Sequence, residues 1–303
     1  MGAATIARRD WRRWLQRSVV EPLLILYHNR RAFVGLLIML FFVGMVIFGP
    51  MLVPLEMRTQ YDQRFQPISL EHPLGTDYQG RDTFQLLVHG SRQTLGIAFL
   101  TGVFTTVIAL VVGMTAGLMG GRVDQALMLI TNTVLTVPYL PVQLMLGVAF
   151  SLRDPVSLAL VLSIWAWGGL ARAIRSTILS LKEREFIEAA RVLGLSNRYI
   201  LFSELMPNIM PFVVINFLTV MRNAITASVA LMFLGLVPLD PTNWGMMLND
   251  ATGRSGAVQA SVFNRNAIIY VMSPMAAVVL FQLGAVFLAH GLDEVLDPRL
   301  RAK

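Results

Sequence analysis

Six apolar runs, at 32–53, 95–119, 126–150, 156–178, 209–236 and 267–289, alternate with polar segments along the chain. At about 1.5 Å of rise per residue, about 20 helical residues cross a hydrocarbon core of about 30 Å. The pattern therefore predicts an all-α polytopic membrane protein with six transmembrane helices. Its interruptions set the plan: an amphipathic segment 1–31, a first span 32–53, a polar segment 54–94, a five-helix unit 95–290 that carries a charged loop at 182–207, and a tail 291–303.

The loop at 182–207 is too polar to span and too short to fold alone. Phe186, Ala189, Ala190 and Leu193 fall at helical spacing, Gly194 breaks the helix, and Ser196 stands as an N-cap before a second helical stretch. A helix, glycine turn and helix make a compact knob. Ala189 and Ala190 permit close approach of another protein, Glu188 offers a charge, and Gly194 supplies a φ > 0 turn.

The segment 54–94 contains the breakers Pro67, Pro73 and Gly75 and the acids Glu56, Asp62, Glu71, Asp77 and Asp82. It reads either as an ordered extracytoplasmic cap or as a solvated loop. In the ordered reading a short amphipathic helix, Thr83 to Val88, leads into the second span, and Asp77, Arg81 and Asp82 form a charge network.

Inside the spans, Gly113 and Gly117 have the GxxxG spacing of close helix packing, continued by Gly120 and Gly121. Whether their partner helix is in this chain or another stays open. Pro138 and Pro141 are expected to bend the third span, with Asn132, Thr133 and Thr136 on hand to satisfy freed backbone groups. Arg222, with the polar Asn223 next to it, lies about 20 Å along the helix of the fifth run. Such a cation either faces a protein interior or water path, or is satisfied locally by carbonyls or a neighbouring subunit. No carboxylate falls in the six runs, which argues against a proton-coupled carrier.

Composition agrees: 55% hydrophobic and 14% charged residues exclude an ordinary soluble domain. If the N-terminus is inside, seventeen Lys and Arg fall in inner segments and seven in outer ones, so both termini are expected in the cytoplasm. Arg8, Arg9, Arg12, Arg13 and Arg17 beside Trp11, Trp14, Leu15 and Val19 predict an interfacial helix on an anionic leaflet, not a nucleic-acid surface. The first apolar run is too long for a cleaved signal peptide. The absence of Cys removes disulfides and thiolate chemistry, and the four His show no ligand spacing. Neither lysine ends a P-loop, so the chain is not itself a P-loop ATPase. No catalytic or metal site is expected.

Glu188-Ala189-Ala190, Gly194 and Pro207 resemble the coupling loop of permease subunits of bacterial ABC importers. His72-Pro-Leu-Gly-Thr-Asp77, Gly80-Arg-Asp82, Gly90-Ser-Arg92, Gly120-Gly-Arg-Val-Asp124, Phe233-Leu-Gly-Leu236, Trp244-Gly-Met-Met-Leu248 and Leu296-Asp-Pro-Arg-Leu300 are similar, in order, to the peptide and nickel branch, and to its shorter permease. The likeness covers residues 30 to 301 and favours the ordered cap. It implies the type I ABC importer permease (MetI-like) fold. Asn132 stands where the branch commonly has Asp, Ser228 where it has Glu, Met206 where it has Leu, and His290 where it has Asp; 249–266 lacks the usual aromatic-rich sequence. Neutral residues at pathway positions would suit an uncharged solute.

The resemblance implies a subunit in the bacterial inner membrane that pairs with a homologous second permease, two ABC ATPase subunits and an extracytoplasmic solute-binding protein. ATP and Mg would be held by the ATPase subunits, with no cofactor in this chain. Glu188, Ala189, Ala190, Gly194 and Pro207 would couple to the ATPase. Arg222, Asn223, Asn132 and Ser228 are candidates for the solute path, and Gly75, Asp77, Gly80, Arg81 and Asp82 form the extracytoplasmic motif. Peptide is the expected solute, with oligosaccharide or a nickel chelate as alternatives on the same machinery. The rivals are an ATP-independent channel or carrier, which the coupling loop disfavours, and a membrane-anchored enzyme, for which no nucleophile and base are in evidence.

Overall fold

The computed structural model describes residues 29–150, 152, 154–237, 240–254 and 264–296; the expected interfacial helix and the Asp-Pro-Arg tail motif lie largely or wholly outside them. The described residues form helices and turns with one isolated bridge, Thr76 to Asp82. In chain order the helices are α1 (Arg30–Leu52), α2 (Thr83–Met119), α3 (Gly121–Thr136), α4 (Tyr139–Ala149), α5 (Pro155–Lys182) and α6 (Glu185–Val192). A turn at Asn197–Tyr199 and a wide π-helical turn at Ile200–Leu205 then run into α7 (Met206–Phe233), followed by α8 (Trp244–Asn249) and α9 (Arg265–Leu296).

Among the described residues, five helices are long and apolar enough to cross a membrane: α1, α2, α5, the continuous helix through α7, and α9. The third apolar run, 126–150, is broken into α3 and α4, which meet at 78°, so the described residues give six spans only when that pair is counted as one. The cause is Pro138. It lacks an N–H and drives Val137 out of the helical region, to φ −77° and ψ 126°. Pro141, also expected to bend the run, causes no break: it lies in the first turn of α4, where a missing N–H goes unnoticed.

A second departure concerns the short helix expected at Thr83 to Val88. No break follows Val88; α2 is continuous for 37 residues, about 55 Å, so the end of segment 54–94 is already helix. Some of its polar residues are covered, although Arg92 is exposed. Ser91 and Thr94 are buried, and Thr94 Oγ1 accepts from Trp244 N at 3.2 Å.

Close approaches set the packing. A Cβ on Gly113 would lie 2.5 Å from Ala171 O, and one on Gly117 would lie 2.7 Å from Ile178 Cγ2, so the GxxxG face of α2 meets α5 of the same chain. Gly35 and Gly284 bring α1 and α9 together in the same way, a pairing that sequence spacing did not expose. Phe42 of α1 packs with Phe281 of α9 and Trp244 of α8, at ring separations of 5.5 and 5.9 Å. Trp244 through Leu248 are all buried, and Trp244 Nε1 donates to Leu87 O at 2.9 Å.

The bundle has two ends, one bearing the segment 54–82 and one bearing α6. At the α6 end Asn29 Nδ2 donates to Glu294, tying the start of α1 to the end of α9. There, too, Lys182 Nζ donates to Leu118 O at 3.1 Å, serving a carbonyl that the last turn of α2 leaves open. Near the opposite end Asp154 caps α5; donation from Ser157 N, together with Ser157 Oγ and Val156 N, holds its carboxyl below the ordinary carboxylate range.

Candidate functional site

At the α6 end, local chemistry builds the knob. Gly194 has φ +72° and closes α6 by donating to Arg191 O at 2.9 Å, while Leu195 N donates to Ala190 O at 3.1 Å, the paired bonds of a Schellman cap. Ser196 Oγ then accepts from Tyr199 N at 3.2 Å and starts the next helical stretch. Ile187 and Ala190 anchor α6 in an apolar cluster with Ile178, Ile200, Leu205 and Ile209.

This buried face differs from the one that apolar spacing suggested. Phe186, Ala189 and Leu193 are exposed, and of that set only Ala190 is buried. With two turns of helix there is room for a single i, i+3 pair inside, and Ile187 with Ala190 fills it. Glu188 and Ala189 are thereby left outward, among exposed Phe186, Val192, Leu193, Tyr199 and Phe202. Pro207, exposed in the first turn of α7, continues the same end of the molecule.

At the other end, Asp77 is fully buried. Its Oδ2 pairs with Arg81 Nη2 at 2.6 Å and Nε at 2.7 Å, and its Oδ1 accepts from Gln79 N and Arg81 N at 2.8 and 2.9 Å. Asp82 Oδ1 caps α2 by accepting from Phe84 N and Gln85 N, and its Oδ2 lies 2.9 Å from His72 Nδ1. Gly75 and Gly80 have φ +68° and +78°. A side chain on Gly80 would place Cβ 1.9 Å from Gln60 O. The motif residues thus fold into one ordered turn joined by backbone bonds, but the charges do not form the single expected network: Asp77 pairs with Arg81, while the Asp82 side chain meets His72 and the start of α2.

The four pathway candidates do not meet. Ser228 is buried and its hydroxyl donates to Ile225 O at 3.0 Å, back into its own helix. Arg222 is half-buried beside a groove of about 240 Å³ between α7 and α9, lined also by Thr219, His290 and Asp293. Asn223 is exposed. Asn132, on α3, accepts from Arg172 Nη2 at 2.8 Å.

Arg172 was missed as an intramembrane residue, and so was Arg175. Both fall within the apolar run 156–178 yet are among the seventeen basic residues counted in the inner segments; α5 continues to Lys182 and carries both inside the helix. Their positions within that run were the signal. Arg175 forms a two-pronged ion pair with Asp124 at the start of α3, whereas the hydrogen-bond partner of the Arg172 side chain among the described residues is the neutral Asn132.

Comparison with known proteins matches residues 109–302 to the family described as binding-protein-dependent transport system inner membrane component. Residues 23–71 match the N-terminal TM domain of oligopeptide transport permease C. The chain is 32% identical over 279 residues to the dipeptide transport system permease protein DppC of Bacillus subtilis (strain 168), covering 90% of this chain and 83% of that one. To the oligopeptide transport system permease protein OppC of the same organism it is 29% identical over 275 residues, 90% and 87% of the two chains. It is also similar to the nickel transport system permease protein NikC of Escherichia coli (strain K12), 36% identical over 183 residues, 60% and 65% of the two.

Proposed function

The chain belongs to the binding-protein-dependent transport system inner membrane component family and is a multi-pass membrane permease, and from that premise we propose that it moves peptides across the bacterial inner membrane as one half of a permease pair. In this reading the α6 end faces the cytoplasm, as the distribution of Lys and Arg favours. Two ABC ATPase subunits bind there and hold ATP and Mg, and the 54–82 end faces an extracytoplasmic binding protein. The relatives named for dipeptide and oligopeptide transport support peptide as the solute; the nickel-transport relative keeps a nickel chelate as the second reading.

One observation carries the proposal. The knob is anchored at its root by Ile187 and Ala190 but leaves Phe186, Val192, Leu193, Tyr199 and Phe202 exposed around Glu188. Exposed apolar side chains around a charge, at the polar end of a membrane bundle, are what a docking surface needs. Closure of the ATPases would push on this rigid unit, and because α6 is packed onto α5 and joined by the π turn to α7, the push reaches both helices.

The test is purification of the tagged chain from its native membrane, followed by reconstitution. Co-purification of an ATPase and a second permease, with ATP-dependent peptide uptake into vesicles, is expected. Recovery of the chain without any ATPase, or uptake indifferent to ATP, would return the channel or carrier reading.

A further inference from the structure

Not all of the exposed surface on the spans is suited to lipid. The open face of α1 carries Leu40, Phe41, Phe48 and Met51, and the first half of α5 exposes Val156, Leu160 and Ile164. The second half of α5 exposes Gly169, Arg172, Ser176 and Ser180, at spacings of three and four residues, hence one helical face. Arg172 lies about 15 Å along the axis from Lys182. A cation at that depth belongs against protein or water, not acyl chains. Across from it, α3 exposes Asn132, Thr133 and Thr136, just before the break at Pro138.

The two arginines of this stretch are treated differently. Arg175 has its charge matched by Asp124. Arg172 donates to an amide oxygen, which orients the guanidinium without neutralising it and, among the described residues, leaves most of its five N–H donors unused. Asn132 alone seemed to favour an uncharged solute. Joined to Arg172, it makes a net positive site, because an aspartate at 132 would close the pair and the asparagine leaves it open.

We propose that Arg172, positioned by Asn132, binds the carboxylate of the solute as it passes along this face. A guanidinium held by one edge presents a planar donor fork that fits a carboxylate, and the amide of Asn132 adds a donor beside it. This assignment rests on the peptide reading above and specifies the end of the peptide that the permease holds.

The assay uses the whole importer in vesicles with one binding protein throughout. Uptake of trialanine is compared with uptake of its C-terminal amide, first for the unaltered complex and then for variants. The ratio of the two rates cancels any preference of the binding protein, which every variant shares. Arg172→Gln is expected to lower trialanine uptake roughly tenfold or more, the scale of a lost charge-assisted hydrogen bond, with the amide little affected. Asn132→Asp should shift the ratio the same way by closing the ion pair, and Arg172→Lys should keep part of the preference. Equal losses for acid and amide, or no loss for either, overturn the assignment while leaving peptide import standing. An unaltered complex that carries neither compound instead sinks the peptide reading, and this site with it.

Discussion

Asp77 and Arg81 form a buried ion pair four residues apart, 2.6 Å between Oδ2 and Nη2, with the second carboxylate oxygen taken up by two backbone N–H groups. The turn that carries Gly80 is therefore folded around a carboxylate, and Asp82 at its exit caps the 37-residue α2.

Breaking that pair from one side should cost more than removing it. Arg81→Met leaves a buried carboxylate with its backbone donors, and Asp77→Leu leaves a buried guanidinium without its carboxylate. Each should lower stability by about 3 to 5 kcal/mol, with the double variant less affected than the sum of the two. Thermal unfolding of the detergent-purified importer measures this, and strictly additive losses would mean that the two groups do not depend on each other.

The knob predicts graded effects on coupling. Gly194→Val forces a β-branched residue to φ +72° and should undo the Schellman turn. Glu188→Ala removes one exposed charge, with an effect on the order of 1.5 to 3 kcal/mol if Glu188 meets a charged partner. Both variants should insert normally, and the valine change should reduce ATPase co-purification or peptide-stimulated ATP hydrolysis the more. Unchanged hydrolysis and attachment in both would remove the knob from the mechanism.

Helix contact predicts the outcome at Gly113 and Gly117. Leucine at either position meets Ala171 O or Ile178 within 3 Å and must push α5 away from α2. A loss of about 1 to 3 kcal/mol, typical of overpacking, is expected for each. Gly44, whose Cβ would meet nothing within 4 Å, is the control. Leucine tolerated at all three positions would contradict the observed approach.

Orientation can be read with single thiols, since the chain has no cysteine. Leu70, on the 54–82 end, and Val192, on the knob, are both well exposed. In intact cells an impermeant maleimide should label Leu70→Cys and spare Val192→Cys. The reverse pattern would invert the membrane placement.

Run length and charge placement were enough to make the chain a helical membrane protein, because the cost of unpaired backbone in hydrocarbon leaves few other ways for 20-residue apolar runs to fold. Local backbone chemistry was legible for the same kind of reason: Gly194, Ser196 and Pro138 act on neighbours a few residues away, so their turn, cap and break follow from order along the chain. Which surface of α6 is buried and which helix receives Gly113 and Gly117 depended on contacts that only the folded chain makes. The pairing of Arg172 with Asn132 is of that kind. Forty residues separate them in sequence, and only the packing of α3 against α5 brings one guanidinium to a neutral amide while its neighbour Arg175 finds a carboxylate.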